Sequence, residues 1–172
     1  MMMFETDQRQ KELREGFTLV ELLLAIAIIG VLAAIVVTAI NPGKQLADAR
    51  DAQRRSDVNA IANGVWQYQI DHDGDLPCDA NGNCLDESPR MVGTIDRGCD
   101  GAVVCPTAAS VSESCFDPVG LVGTYLPAMP VDPRYGSGAK TYYVVRSYGP
   151  PDNHVIVTSC LPEQGTGITF PR

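Results

Sequence analysis

The chain has 172 residues, 21 of them acidic and 13 basic, for a formal charge of −8, and 45% are apolar. That length has room for one modest globular domain beside one long apolar segment. The acidity is concentrated after residue 57, where thirteen acidic residues outnumber six basic ones, and such a surface disfavours nucleic acid as a partner.

Residues 1–16 are a short mixed-charge run with three basic and four acidic residues, ending at Gly16. From Phe17 to Ile40 the chain is apolar, and Glu21 is its only charged residue. As a helix, this segment would rise about 36 Å, enough to cross the ~30 Å hydrocarbon core of a bilayer. An unpaired carboxylate within it costs about 3 kcal/mol. The segment supplies no cation, so Glu21 calls for a partner on another molecule, and therefore for assembly. Ala25, Ala27, Gly30, Ala33 and Ala34 are small enough to let such helices approach closely in lipid.

The run Gly16-Phe17-Thr18-Leu19-Val20-Glu21, with the apolar residues up to Ile40, resembles the class III signal of type IV pilins and type II secretion pseudopilins. The resemblance implies that a prepilin peptidase cuts between Gly16 and Phe17. It implies N-methylation of the new terminus on Phe17, and a pair between Glu21 and the terminal amine of a neighbouring subunit. Unlike a secretory signal, the apolar core follows the cleavage site and stays in the mature chain. Arg9, Lys11 and Arg14 precede the span while Lys44, Arg50, Arg54 and Arg55 follow it, a count that slightly favours the reverse orientation. The resemblance and the cysteines instead set the leader in the cytoplasm and the body outside.

Asn41-Pro42-Gly43 predicts a break in the helix, because Pro42 cannot donate to Thr38. Residues 44–70 resume helical spacing, with Val58, Ile61, Ala62, Val65 and Tyr68 as an apolar stripe. Asp51 precedes Arg54 and Arg55 by three and four residues, which reads as an exposed charged face. The surrounding run 49–57 reads as a solvated or subunit-facing surface. Trp66 and Tyr68 are expected to anchor the body to this helix, which Gly74 and Pro77 stop. Asp71, Asp73 and Asp75, and again Asp79, Asn81 and Asn83, alternate like calcium ligands. Their glycines fall at the fourth position and no glutamate closes either loop, which argues against that reading.

All six cysteines lie between Cys78 and Cys160, an even count that reads as disulfides in an oxidising compartment. Their spacing, with only His72 and His154 nearby, speaks against zinc. Fifteen pairings are open; the working expectation is Cys78–Cys84, Cys99–Cys105 and Cys115–Cys160. Residues 78–123 are expected to be stapled loops with short strands, such as Ala102–Val104. Residues 125–133 resemble the Leu-Pro…Pro-x-Asp-Pro segment of pseudopilins, around which the major pseudopilins hold calcium. Asp132 is the one residue carried over as a calcium candidate, beside the alternative of a rigid proline-set turn with no metal. Thr141–Arg146 and His154–Thr158 predict a hairpin through 149–153. The Gly-rich tail 162–172 receives no element.

The elements predict an α+β chain with a long N-terminal helix and a small C-terminal antiparallel sheet, and the resemblance implies the pilin fold. It comprises a leader (1–16), a transmembrane and filament-core helix (17–40), an amphipathic continuation (41–76) and a β-rich head with six cysteines (77–172). The expected function is a structural subunit of a type IV pilus-like filament. The alternatives are a type II secretion pseudopilin or a minor tip subunit. A pilin-anchored surface enzyme is the remote alternative, since no Gly-x-Ser-x-Gly, His-Glu-x-x-His or phosphate-binding glycine loop is present. Expected partners are further copies, the prepilin peptidase, the assembly platform with its ATPase, and the membrane before assembly. No cofactor is expected. The head would lie outside a single-pass cytoplasmic-membrane helix, and then in an extracellular filament at the cell surface.

Overall fold

The structure is a computed structural model that describes residues 16–94, 99, 105, 111, 115–149, 154–165 and 167–171. The leader therefore lies outside the described residues except for Gly16, as does the strand expected at 102–104. The chain divides into two compact units, Met1–Pro42 and Gly43–Arg172.

In the first unit, helix α1 spans Leu19–Ala39. Thr18 caps it: its Oγ1 accepts from the Glu21 backbone N–H at 3.2 Å, and Leu22 N donates to Thr18 O at 3.1 Å. Thr18-x-x-Glu21 is thus the sequence pattern of a capping box, with the carboxylate in the favourable first turn. Near the other end Thr38 Oγ1 donates back to Ile35 O at 2.9 Å, and the helix closes at Ile40. No residue of α1 is buried.

Helix α2 runs Pro42–Asp71. Pro42 stands at its first position, where a missing N–H costs no helical bond. The proline thus starts a second helix after the break at Ile40–Asn41. Among the described residues the sheet of the second unit has four strands: β1 (Arg90–Met91), β2 (Tyr143–Ser147), β3 (Val155–Ser159) and β4 (Thr169–Pro171). They lie in the order β1-β2-β3-β4, and every neighbouring pair is antiparallel. The hairpin register sets Tyr143 opposite Ser159 and Ser147 opposite Val155. The expected strands are there, displaced by one or two residues. The two-residue β1 and the tail strand β4 were not legible in advance.

Because side chains alternate along a strand, the sheet presents two faces, and both are covered. Tyr143, Val145, Val155 and Val157 join Val58, Ile61, Ala62 and Val65 of α2, with Phe116, Leu121 and Leu126, in one buried cluster. Val144 and Met91 join Val111 and Cys99, Cys105, Cys115 and Cys160 in another. Complete burial of a side chain such as Ile61 contributes about 1.5–3 kcal/mol. Gly64 lets the loop reach α2: a Cβ there would sit 3.0 Å from Leu126 Cγ.

The second cluster corrects the cysteine pairing. Cys78 bonds Cys84, but Cys99 bonds Cys115 and Cys105 bonds Cys160, in place of the expected Cys99–Cys105 and Cys115–Cys160. The sheet decides this. Cys115 precedes Phe116, whose N–H donates to Met91 O, whereas Cys160 follows β3 and its N–H donates to Tyr142 O. The two thus sit at different places on the sheet, and each pairs with a different buried cysteine, Cys115 with Cys99 and Cys160 with Cys105. These bonds close separations of 16 and 55 residues, and in the chain-entropy account loops of that size restrict the unfolded state by about 3 and 4 kcal/mol.

Candidate functional site

The first candidate is the amino-terminal segment. Gly16, Phe17 and Thr18 are non-helical and exposed immediately before α1. Phe17 is 79% exposed, and large apolar side chains from Leu19 to Ile40 are exposed around the whole circumference. By length and composition α1 can cross a membrane. Glu21, in the first turn, is the single charge it carries into such surroundings. The segment combines a non-helical, exposed Gly16–Phe17 peptide, a capped helix and a lone carboxylate three residues after the cap. An apolar surface of that kind suits lipid or other apolar helices as its surroundings.

The second candidate was not legible as such. In the first half of α2, Asp51, Arg54 and Asp57 are buried, and Arg54 is wholly so. Arg54 Nε donates to Asp132 Oδ2 at 2.6 Å and Nη2 to Asp132 Oδ1 at 3.2 Å. Its Nη1 donates to Asp51 Oδ1 at 2.8 Å and to Glu163 Oε1 at 3.1 Å. Asp51 in turn accepts from the backbone N–H groups of Glu163 (3.0 Å) and Gln164 (2.9 Å). Glu163 also accepts from Arg50 Nε at 2.7 Å and Nη2 at 2.5 Å, and from Arg134 at 3.4 Å. One turn further along α2, Asp57 accepts from Tyr143 Oη at 2.6 Å and from Gln53 at 2.7 Å. Three guanidinium groups and three carboxylates thus fasten α2 to the 132–135 turn and to the segment after β3.

The electrostatics follow from this geometry. Burial works against the Arg54 charge, but the hydrogen bonds to Asp132 and Asp51 outweigh it and hold the group above the usual arginine range. Burial pushes Asp51 up, and the Glu163 N–H, Arg54 and the Gln164 N–H more than reverse that, leaving it below the usual aspartate range. The hydrogen bonds from Arg50, against the opposing effect of burial and with help from Arg54, draw Glu163 down to about 2. Burial first, then the bond to Asp57, pushes the Tyr143 phenol well above its ordinary range.

Residues 13–37 match the prokaryotic N-terminal methylation motif. The type II secretion system core protein G of Aeromonas hydrophila is 32% identical over 124 residues, 72% of this chain and 70% of its own length. The protein of the same name from Escherichia coli K12 is 28% identical over 125 residues, 73% of this chain and 70% of its own. The chain belongs to the type IV pilin and pseudopilin family. No solved structure matches it significantly. The long apolar helix, the small antiparallel sheet and the disulfides are those of the α+β pilin fold, and the chain is a pilin-like subunit.

Within this pilin-like subunit Asp132, the calcium candidate, sits elsewhere in the chemistry. Both of its oxygens accept from Arg54, and Oδ1 also accepts from the N–H groups of Arg134 and Tyr135. The residues do not fit a calcium ion, which would have to displace a buried guanidinium. Gly136 makes the turn possible, since a Cβ there would strike the Asp132 backbone. Among the described residues no group of three or more His, Cys, Asp or Glu is placed to hold a metal. Asp79 is engaged by the N–H groups of Asn81 and Asn83, and Asp71 accepts from Tyr125 Oη at 2.9 Å. Two further readings change. Asp51, Arg54 and Asp57 of the charged run on α2 face the core, while Arg55 is exposed as expected, and Trp66 is 48% exposed where it was expected to anchor the body. Tyr68 does pack on the core, stacked on His72 and edge-on to Tyr125. The signal for the buried charges was the spacing: 51, 54, 58, 61 and 65 continue one helical stripe.

Replacing Arg54 with Met strands the buried Asp132 and Asp51 carboxylates, so urea unfolding of the detergent-solubilised chain should lose about 3–5 kcal/mol. The stabilisation from Glu163 has a definite pH sense. Its carboxyl is depressed from 4.5 to about 2 on folding, so the contribution is complete above pH 4.5 and lost as pH falls from there toward about 2. Unfolding of Glu163→Gln should lack that acid-dependent component; an unchanged pH profile would contradict the assignment.

Proposed function

We propose that this pilin-like chain is a structural, non-catalytic subunit of a type IV pilus-like filament. Prepilin peptidase cuts it between Gly16 and Phe17, Phe17 is N-methylated, and α1 carries assembly. One observation carries the reading: α1 is apolar on every side and no part of it is buried. Such a surface needs lipid before assembly and neighbouring helices after it. The transfer exchanges one low-dielectric surrounding for another. Cleavage supplies what Glu21 lacks, a cation on a second copy. In an apolar setting that pair fixes register more than it adds stability. In this reading the domains are the leader 1–16, the core helix 17–40, its continuation 41–76 and the head 77–172. The head lies outside the cytoplasmic membrane, the assembly platform and its ATPase extract the subunit, and the filament stands at the cell surface.

A second reading, a pseudopilus subunit of a type II secretion system, is favoured by the names of the two relatives. It keeps the same processing and assembly and differs in fibre length and cargo. Loss of secreted proteins on deletion, without surface fibres in the parent cells, would select it.

The test of either is intact-mass analysis of the purified native chain with a Glu21→Ala variant beside it. The expected mass corresponds to a chain starting at methylated Phe17. The variant should insert in the membrane normally and form no ordered fibre. A native chain still starting at Met1, or normal fibres from Glu21→Ala, would refute the proposal.

A further inference from the structure

The three disulfides differ in what can reach them. Cys99, Cys105, Cys115 and Cys160 are each 8% exposed or less, in the cluster with Met91 and Val144. Cys84 is exposed and Cys78 half-buried, on the loop that follows α2. Both border a depression of about 440 Å³, in the size range of small-molecule clefts. Tyr68 and His72, whose rings stack 3.9 Å apart, form part of its wall beside Leu76 and Leu85.

The loop has supports besides its disulfide. Asp79 Oδ1 accepts from the Asn81 N–H at 2.9 Å and the Asn83 N–H at 2.8 Å, and Asn83 Nδ2 donates to Asp79 Oδ2 at 3.1 Å. Asp79 N donates to Asn83 O at 2.9 Å. The ends of the loop are fastened as well: Leu85 N donates to Pro77 O at 3.2 Å and Val119 N to Cys78 O at 3.1 Å. Pro77 and Leu85 are buried. These bonds hold the two cysteines near each other whether or not their sulfurs are joined. Each sulfur also has a carbonyl that a thiol, a weak donor, would use: Leu76 O lies 3.6 Å from Cys78 Sγ and Gly82 O lies 3.8 Å from Cys84 Sγ.

We propose that Cys78–Cys84 is a thiol-exchange site, a reversible covalent attachment point for a low-molecular-weight thiol of the glutathione class. A thiolate attacks Cys84 Sγ, the exposed sulfur. A new S–S bond forms there, the Cys78–Cys84 bond breaks, and Cys78 leaves as a thiolate that takes a proton from water. In the reverse direction the Cys78 thiolate attacks Cys84 Sγ in the mixed disulfide, expels the small thiol and restores the bond. A second small thiol can instead free Cys84, so that two thiols are oxidised to their disulfide and one protein disulfide is reduced. Exchange of this kind depends on access to the sulfur attacked, and exposed disulfides are the labile ones. A separation of six residues with fastened ends keeps Cys78 beside the mixed disulfide, so closure is intramolecular. The other two disulfides are out of reach, and the sheet keeps them while this bond opens.

The test is incubation of the folded, detergent-solubilised full chain with reduced glutathione. Free thiols are trapped with N-ethylmaleimide and located by peptide mass spectrometry. Glutathione should appear on Cys84 and the trap on Cys78, at least about tenfold faster than either reaches the other four cysteines. The modified chain should still unfold in one cooperative transition, and removal of glutathione should restore the Cys78–Cys84 bond. Asp79→Ala releases Asn81 and Asn83, so it should slow that closure at least about threefold without slowing the opening. Equal modification of all six cysteines, modification only after urea is added, or loss of the cooperative transition on opening overturns the proposal. Closure of Asp79→Ala at the unaltered rate overturns the part given to the loop. None of these outcomes bears on whether the chain forms a filament.

Discussion

An apolar helix that its own molecule does not cover is the constraint from which the rest follows. Every residue of α1 is solvent-facing in the isolated chain, and its one charge sits in the first turn. Soluble monomers rarely expose hydrophobic surface of that extent. The chain is therefore incomplete as a single molecule. The second unit is the opposite. Among the described residues its sheet buries side chains on both faces, against α2 on one side and with Cys99, Cys105, Cys115 and Cys160 on the other. One part of the chain has its burial satisfied internally, and the other has it satisfied only by lipid or by copies.

The charge cluster on α2 belongs to the self-sufficient part. Buried ion pairs add little net stability compared with apolar packing, but each partner becomes costly to remove, which makes the arrangement selective. Arg54 receives Asp132 from the turn after the loop region and shares Asp51 with the backbone of residues 163 and 164. Segments far apart in sequence are thereby brought to one point on one helix. Two of the disulfides, Cys99–Cys115 and Cys105–Cys160, lie at the other side of the sheet in the cluster with Met91 and Val144.

Much of this was legible in the residues. Gly16, Phe17 and Glu21 announce the family because each departs from what a simple membrane anchor requires. The apolar stripe from Val58 to Val65 and the two β-branched runs announced the core helix and hairpin. The failures have separate physical causes. Asp51, Arg54 and Asp57 were placed outside because charged residues are rarely buried, although their phase along α2 placed them inside. Trp66 was placed inside for its size, although one step past Val65 turns it outward. The cysteine pairing depended on where the sheet puts Cys115 and Cys160, and no local spacing encodes that. Strands β1 and β4 are two and three residues long and exist through their partners.

Electron cryo-microscopy of the native fibre examines the central claim most directly, because it locates α1 within the assembly. The account predicts that the α1 helices of successive subunits pack against one another along the fibre axis, out of contact with solvent, with the Gly43–Arg172 units outside them. A fibre in which α1 lies at the surface, or from which it is missing, would contradict it.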